Sequence, residues 1–380
     1  MQRRVDHLIK VRAFTRQSLP TPVPEGERWE SVVKAVLEKW ESERTGYLKL
    51  RSPITFKKLL ERSRGPKGVF PLIVEQREAV NSFAHYPSSL GVLQIRDEEG
   101  VILGYRFKIP PHLLATLTTS SQILDSCGTT GTRGGGGDAG ARGLYESRHY
   151  SVWADYGKQY VESQEILRDG EKGRVWLREN QELFDYCNNQ LRLLCPEQYV
   201  KMTGRVVKDM SRTKSADGRN LKPLGGAWHG VCLNQGMDAE SGSRCHQDWL
   251  DDKRLPNCVV PFGDGFGGGD LVLWQMKMRI GLEIGDGFFF YGALVAHEVM
   301  DIIAGIRNSI DLFTHASNYQ LLAEHEKGSG NRDKYPVKEQ KLRAASREEE
   351  RRNDKGNAAA RSEILKGKKL RQRAAGLMRN

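Results

Sequence analysis

No Cys-x-x-Cys pair occurs in this chain; its six cysteines are scattered at 127, 187, 195, 232, 245 and 258. Such spacing excludes a zinc framework of paired thiols and a small disulfide-stapled scaffold. Long apolar runs are missing too. The longest, Phe288-Phe289-Phe290-Tyr291-Gly292-Ala293-Leu294-Val295-Ala296, is far short of the roughly 20 residues that cross a bilayer, so no membrane partner is expected. The first residues, Met1-Gln2-Arg3-Arg4-Val5-Asp6-His7, have no apolar core of the secretory kind. Together with the unpaired thiols this sets the expectation of an intracellular protein. The glycine-rich stretch from Cys127 to Gly137 lacks a Gly-Lys-Ser/Thr ending, which excludes a phosphate-binding P-loop there. Charge, by contrast, is abundant and uneven. The formal net charge is +11, and residues 326–380 hold 17 Lys and Arg against 8 Asp and Glu. The preceding residues are close to neutral, so that segment is the natural contact for polyphosphate, or else a solvated charged helix.

With 380 residues the chain can bury a large core. Three regions are expected. Residues 1–75 read as an N-terminal helical region: Trp29, Val32, Val33, Val36, Leu37 and Trp40 recur at helical spacing, and Ile54–Leu60 begins a further turn or two. Residues 76–325 read as the main domain, with a glycine-rich insertion near 127–143, and 326–380 as a basic tail, helical or disordered. Within the main domain, Val92–Arg96 and Val101–Phe107 flank Asp97-Glu98-Glu99-Gly100 and predict a hairpin. Residues 158–194 look mostly helical, with Leu183, Phe184, Cys187, Leu191 and Leu194 on one face. From Ala227 to about Leu312 short apolar runs broken by Gly, Asp and Asn predict a β-sandwich or barrel. Gly263-Asp264-Gly265-Phe266-Gly267-Gly268 matches G-x-G-x-x-G, but the strand-like Asp270–Trp274 follows it, so a dinucleotide site is not expected.

Three short pieces suggest one metal site: His246-Gln247-Asp248, His297, and Arg307-Asn308-Ser309. On a strand, His246 and Asp248 share a face. Two imidazoles and a carboxylate cap one side of an Fe(II) ion and leave the opposite positions open. Ten residues after His297 comes Arg307, with Ser309 on the same face. That pair can bind the far carboxylate of a small keto diacid. Taken singly, each has an ordinary reading: a common tripeptide, a satisfied core histidine, an ion-paired arginine. Their order, spacing and strand-rich context favour an iron oxygenase that uses a keto acid.

The run Cys245-His246-Gln247-Asp248, Gly268-Gly269-Asp270-Leu271-Val272-Leu273, His297 and Gly305-Ile306-Arg307-Asn308-Ser309 resembles the TET/JBP group of Fe(II)/2-oxoglutarate dioxygenases, closest to its fungal, transposon-associated branch. The similarity covers about residues 225–320. It implies an α+β chain with a double-stranded β-helix (jelly-roll, cupin-like) core flanked by N-terminal helices. It implies Fe(II) held by His246, Asp248 and His297, and 2-oxoglutarate held by Arg307 and Ser309, with Arg244 assisting and O2 as cosubstrate. It further implies a flipped base stacked on Phe313 and read at its edge by His315 and Asp251. Phe313 and His315 are two apart on one predicted strand, so both can line one pocket wall. An ionised Asp251 only accepts hydrogen bonds, which disfavours thymine and leaves 5-methylcytosine, then N6-methyladenine. The expected partner is duplex DNA with a methylated base, met by a monomer in the nucleus; Lys366–Arg373 is a basic targeting candidate. A protein or small-molecule hydroxylase of the same fold, or a DNA-binding protein with a vestigial fold, remain the alternatives.

Overall fold

Alternation of buried side chains along short strands builds this molecule around two sheets. The computed structural model describes residues 47–63, 79–126, 132–133, 145–215, 217–236 and 242–327. The chain divides into two compact units, Met1–Ala323 and Glu324–Asn380, and of the second only 324–327 is described. The predicted helix over 28–42, most of the glycine-rich insertion and nearly all of the basic tail lie outside the described residues.

In chain order the strands are β1 (Leu48–Arg51), β2 (Ala84–Tyr86), β3 (Leu93–Arg96), β4 (Ile102–Lys108), β5 (Thr132–Arg133), β6 (Tyr145–Ala154), β7 (Tyr160–Glu162), β8 (Gly230–Gly236), β9 (Ser243–His246), β10 (Asn257–Gly268), β11 (Leu271–Leu273), β12 (Met278–Ile280), β13 (Asp286–Phe290), β14 (His297–Val299) and β15 (Ile302–Phe313). The helices are α1 (Phe56–Arg62), α2 (Pro111–Ser126), α3 (Gln164–Asp169), α4 (Glu171–Glu179), α5 (Gln181–Leu194), α6 (Pro196–Thr203), α7 (Arg205–Met210) and α8 (Ala316–Glu326). The large sheet runs β1-β3-β4-β13-β10-β15-β8-β6-β5, and the small sheet β2-β12-β11-β14-β9. From β8 onward the chain passes back and forth between the sheets, with β11 and β12 both in the small one. β8, β10, β13 and β15 are adjacent in the large one; β9, β11, β12 and β14 are adjacent in the small one. That is the double-stranded β-helix, an antiparallel jelly roll with a space between its two sheets.

At β13 the large sheet is covered on both faces, which is why Phe288-Phe289-Phe290 reads as an unbroken apolar run. On β13, Phe288 and Phe290 pack toward the small sheet with Val259, Leu271 and Leu273. Phe289 points the other way, into a cluster shared with Val260, Ile310, Leu312 and the helices. Each such fully buried side chain contributes roughly 1.5–3 kcal/mol. On α5 the expected face Leu183, Phe184, Cys187 and Leu191 is buried in that second cluster, with Leu194 half-buried at its edge.

Three elements depart from the expectation. Within residues 1–75 the segment Leu48–Arg51 is a strand, not helix: Leu48 and Leu50 are buried, and β1 pairs in parallel with β3 at the end of the large sheet. Among the described residues of that region, helix appears at α1, where the Thr55 hydroxyl accepts from the Lys58 amide and caps it. The described part of that region is therefore joined to the main sheet and not set apart from it. Secondly, residues 160–162, expected in helix, form β7 against β6. Thirdly, Phe288–Ala296 is not one strand: β13 ends at Phe290, and the chain turns before β14 begins at His297. The expected hairpin forms as β3 and β4, and Gly263–Gly268 lies inside β10 with a strand after it.

Candidate metal centre and substrate pocket

β9 and β14 are antiparallel neighbours, and their register sets His246 directly opposite His297. Their rings lie 4.3 Å apart. Asp248 sits two residues past the end of β9, where its amide donates to the Gly292 carbonyl at 3.0 Å. It faces the histidines from the turn and not from the strand itself. Asp248 Oδ1 is 3.8 Å from His246 Nε2, and Oδ2 is 3.7 Å from His297 Nε2. One ligand atom from each of the three lies within 4.8 Å of the others. Gly292 makes this approach possible: a Cβ there would stand 2.4 Å from Asp248 Oδ2.

Both imidazoles are oriented by backbone. His246 Nδ1 is 2.7 Å from the Arg244 carbonyl, and His297 Nδ1 is 2.8 Å from the Val295 carbonyl. A carbonyl only accepts, so each Nδ1 carries the proton and each Nε2 presents a lone pair. The donor set, two neutral imidazoles and a carboxylate on one side of a point, fits Fe(II) with open positions opposite. Phe290 stands edge-on to His297 at 4.8 Å and dries that side.

Arg307 emerges from β15 on the same inner face and is buried. Its Nε and Nη2 have no hydrogen-bond partner among the described residues. Burial lowers its pKa to about 10, with Asp311 opposing. The nearest aromatic is Phe266, whose ring centroid is 5.8 Å from the guanidinium carbon. Gly269, at φ +75, gives the side chain its room: a Cβ there would be 2.9 Å from Arg307 Cδ. A buried, unsatisfied guanidinium is costly unless an anion arrives. A carboxylate fits it by two parallel hydrogen bonds. Ser309, two residues on and buried, shares the face. Arg244 is placed differently. Its side chain is exposed, and its backbone carbonyl, not its guanidinium, serves the site by holding His246.

Further along β15 the inner face becomes aromatic. Phe313 is buried, 5.2 Å from the His315 ring and nearly perpendicular to it. His315 Nδ1 is 3.3 Å from the Leu250 carbonyl and 3.8 Å from Asp251 Oδ1. An isolated bridge pairs Asp251 with His315. Asp251 is buried, and its Oδ2 accepts from Asn257 at 2.7 Å. Burial lowers the His315 pKa to about 4, so the ring is neutral at neutral pH. With Nδ1 donating to Leu250, its Nε2 is left as an acceptor.

Four residues here escaped the sequence reading. Asp311 lies between Ser309 and Phe313 on the same face of β15. Burial first, then the Asp248 carboxylate, push its pKa up to about 7. Asn234 on β8 donates its Nδ2 to Asp311 Oδ2. His149 and Trp153 come from β6, packing edge-on against Phe313 at 6.2 Å and His315 at 5.2 Å. Alternation from Arg307 through Ser309 would have found Asp311. Nothing local points to His149 and Trp153, which arrive through the pairing of β6 with β8.

No family model matches the chain, and no curated protein matches it by sequence. Among solved structures it is similar to NgTET1 in complex with 5mC DNA, at 14% identity and TM-score 0.39 over 72% of this chain and 100% of that one. It is similar to an oxidoreductase of the 2OG-Fe(II) oxygenase family from Burkholderia pseudomallei, at 19% identity and TM-score 0.22 over 24% of this chain and 47% of that one. A Pseudomonas putida prolyl-4-hydroxylase matches at 14% identity and TM-score 0.35 over 56% of this chain and 92% of that one. All three TM-scores lie below 0.5, and the double-stranded β-helix is read from the strand order of this chain itself.

Proposed function

We propose that this chain is an Fe(II)/2-oxoglutarate-dependent dioxygenase that hydroxylates the methyl group of 5-methylcytosine in DNA, in keeping with its motif resemblance to the fungal TET-like branch. The observation that carries the reading is the convergent His246-Asp248-His297 cluster together with a buried Arg307 whose Nε and Nη2 have no hydrogen-bond partner among the described residues. His246, Asp248 and His297 would hold iron; Arg307, with Ser309, would hold the far carboxylate of 2-oxoglutarate. Iron with this cosubstrate and O2 supplies the oxidant that converts a C–H bond to a hydroxyl. The chain's own residues bind, orient and dry the site. Phe290, edge-on to His297, would shield that side of the ring from water.

The substrate part rests on the far end of β15. Phe313, His315, His149 and Trp153 form an aromatic cluster, beside which the Asp251 carboxylate and His315 Nε2 would serve as the acceptors that read the base edge. A flipped base needs a stacking face and edge contacts. Two acceptors suit an exocyclic amino group, as in cytosine or adenine, and not the O4 of thymine. The excess of Lys and Arg in residues 326–380 would add salt-dependent affinity for the duplex and suits a nuclear protein.

The test is nucleoside mass spectrometry of duplex DNA carrying both 5-methylcytosine and N6-methyladenine, after incubation with the protein, Fe(II) and 2-oxoglutarate. Hydroxymethylcytosine with equimolar succinate is expected. Loss of N6-methyladenine alone would move the substrate to adenine. Succinate release with neither base altered would end the DNA reading.

A further inference from the structure

The ladder between β10 and β15 is broken beside Arg307. Gly263 pairs with Arg307 and Asp264 with Ile306, but the next pair is Gly267 with Ala304. Gly265 and Phe266 therefore stand opposite the single residue Gly305, which is a β-bulge. Gly265, at φ +56, takes the left-handed conformation that opens such a bulge. A regular ladder would set Phe266 opposite Ala304, on the face of Ile306 and away from Arg307. The extra residue reverses that alternation and returns Phe266 to the Arg307 face.

The consequence is a contact. The Phe266 ring centroid lies 5.8 Å from the Arg307 guanidinium carbon, within the range at which an aromatic ring holds a cation. The stem of the same arginine runs past Gly269, where a Cβ would be 2.9 Å from Cδ and 3.3 Å from Nε. Backbone beside the stem and a ring at the head restrict the rotamers of Arg307. Nε and Nη2, the nitrogens without hydrogen-bond partners among the described residues, form one edge of the guanidinium. That edge is a fork able to take a carboxylate by two parallel hydrogen bonds. A ring attracts the cation without filling the fork, as an acidic side chain in its place would.

Resting on the 2-oxoglutarate part of the proposed function, we infer that Phe266 is a positioning residue for the cosubstrate: its ring holds Arg307 in place with the Nε and Nη2 edge open to the far carboxylate. Phe266 acts through Arg307. Without the ring the long side chain is free to turn, and binding must then order it, which costs affinity. The cost falls only on ligands that use the fork. A keto acid without the far carboxylate makes no call on Arg307 and is indifferent to Phe266.

The experiment measures binding to the full chain by isothermal titration calorimetry, with Mn(II) in place of Fe(II) so that no turnover intrudes. The probes are 2-oxoglutarate and 2-oxopentanoate, which has the same carbon chain and lacks the far carboxylate. Phe266→Ala and Phe266→Leu should each weaken 2-oxoglutarate by roughly three- to tenfold, the range for ordering one long side chain. Both should leave 2-oxopentanoate unchanged. Phe266→Tyr, which keeps an aromatic face, should retain wild-type affinity. Phe266 is only half-buried, and thermal melts without ligand check that each variant is folded. Wild-type affinity for 2-oxoglutarate in Phe266→Ala or Phe266→Leu overturns the inference, as does an equal loss for both keto acids; the cosubstrate reading then stands. A wild type that binds 2-oxoglutarate no better than 2-oxopentanoate overturns the anchoring role of Arg307 on which the inference rests.

Discussion

One half of the inner face of the large sheet is core and the other half is not. β13 and β10 present Phe288, Phe290 and Val259 to the small sheet, and these close against Leu271, Leu273 and Leu294. On the neighbouring strand β15 the corresponding face carries Arg307, Ser309 and Asp311, with Phe313 beyond. Both halves have the same backbone, the same twist and the same antiparallel pairing with β10. They differ in what completes them. The apolar half is finished by the protein's own side chains. The polar half leaves the Nε and Nη2 of a buried guanidinium without partners among the described residues, which a folded protein tolerates where something else is to arrive.

The sharpest way to break this contrast is at the ligands. His246→Ala and Asp248→Ala should abolish turnover and iron binding, since each removes one of three donors, while the fold stays intact. Circular dichroism and iron titration together check this; retained iron binding in either variant would remove that residue from the ligand set. On the apolar half the expected loss is of stability instead. Phe290→Ala should cost about 3–5 kcal/mol in denaturant unfolding, because the cavity it leaves faces a sheet and cannot collapse. A loss below about 1 kcal/mol would mean that this half, too, is plastic.

The two halves also differed in how readable they were. The apolar half announced itself as Phe288-Phe289-Phe290, a run that fits a strand buried on both faces. The polar half was legible where its pieces are contiguous, as in His246-Gln247-Asp248 and Arg307-Asn308-Ser309. It was not legible where partners are chosen by register. That His246 opposes His297 follows from the pairing of β9 with β14 across the whole of β10 to β13. His149 and Trp153 reach the pocket only because β6 adds to the large sheet beside β8. The four residues Leu48–Arg51 alternate like any half-buried strand, but so short a pattern cannot name its partner β3. Asp311 was within reach of the same i, i+2 rule that linked Arg307 to Ser309.

Acidification should act through two histidines that burial keeps neutral, His229 in the core and His315 beyond the polar half. Burial holds His229 down to about 4, and likewise His315. Both lie below the ordinary histidine value, so the unfolded chain takes up protons first. Stability is whole above about pH 6.5 and falls as pH drops toward 4, by roughly 3 kcal/mol for His229 if no other group compensates. His229→Gln should flatten this dependence. On the proposed function His315→Gln should also lower activity on DNA, since its ring packs against Phe313 and Trp153, while His229 sits among Met202 and Asn318 in the core. An unaltered pH profile of melting in both variants would assign the acid lability elsewhere.

The smallest effect is the one that separates the two halves by sign. Replacing Phe290 should lower stability. Replacing Arg307 by Met should improve it, because the change keeps much of the length, removes a buried charge and leaves no orphaned Nε or Nη2. A gain of about 1–2 kcal/mol is expected, the usual scale for relieving a strained functional position. The variant should pay for that gain when the cosubstrate is added. With a divalent metal present, 2-oxoglutarate at a hundred times its Kd should raise wild-type stability by about 2.7 kcal/mol, and the variant by none. Thermal melts of both proteins, with and without 2-oxoglutarate, give all four values in one experiment. If the variant is less stable without ligand, Arg307 is part of the core after all. If it is more stable yet still responds to 2-oxoglutarate, the carboxylate is held by other groups and the polar half of the sheet has another purpose.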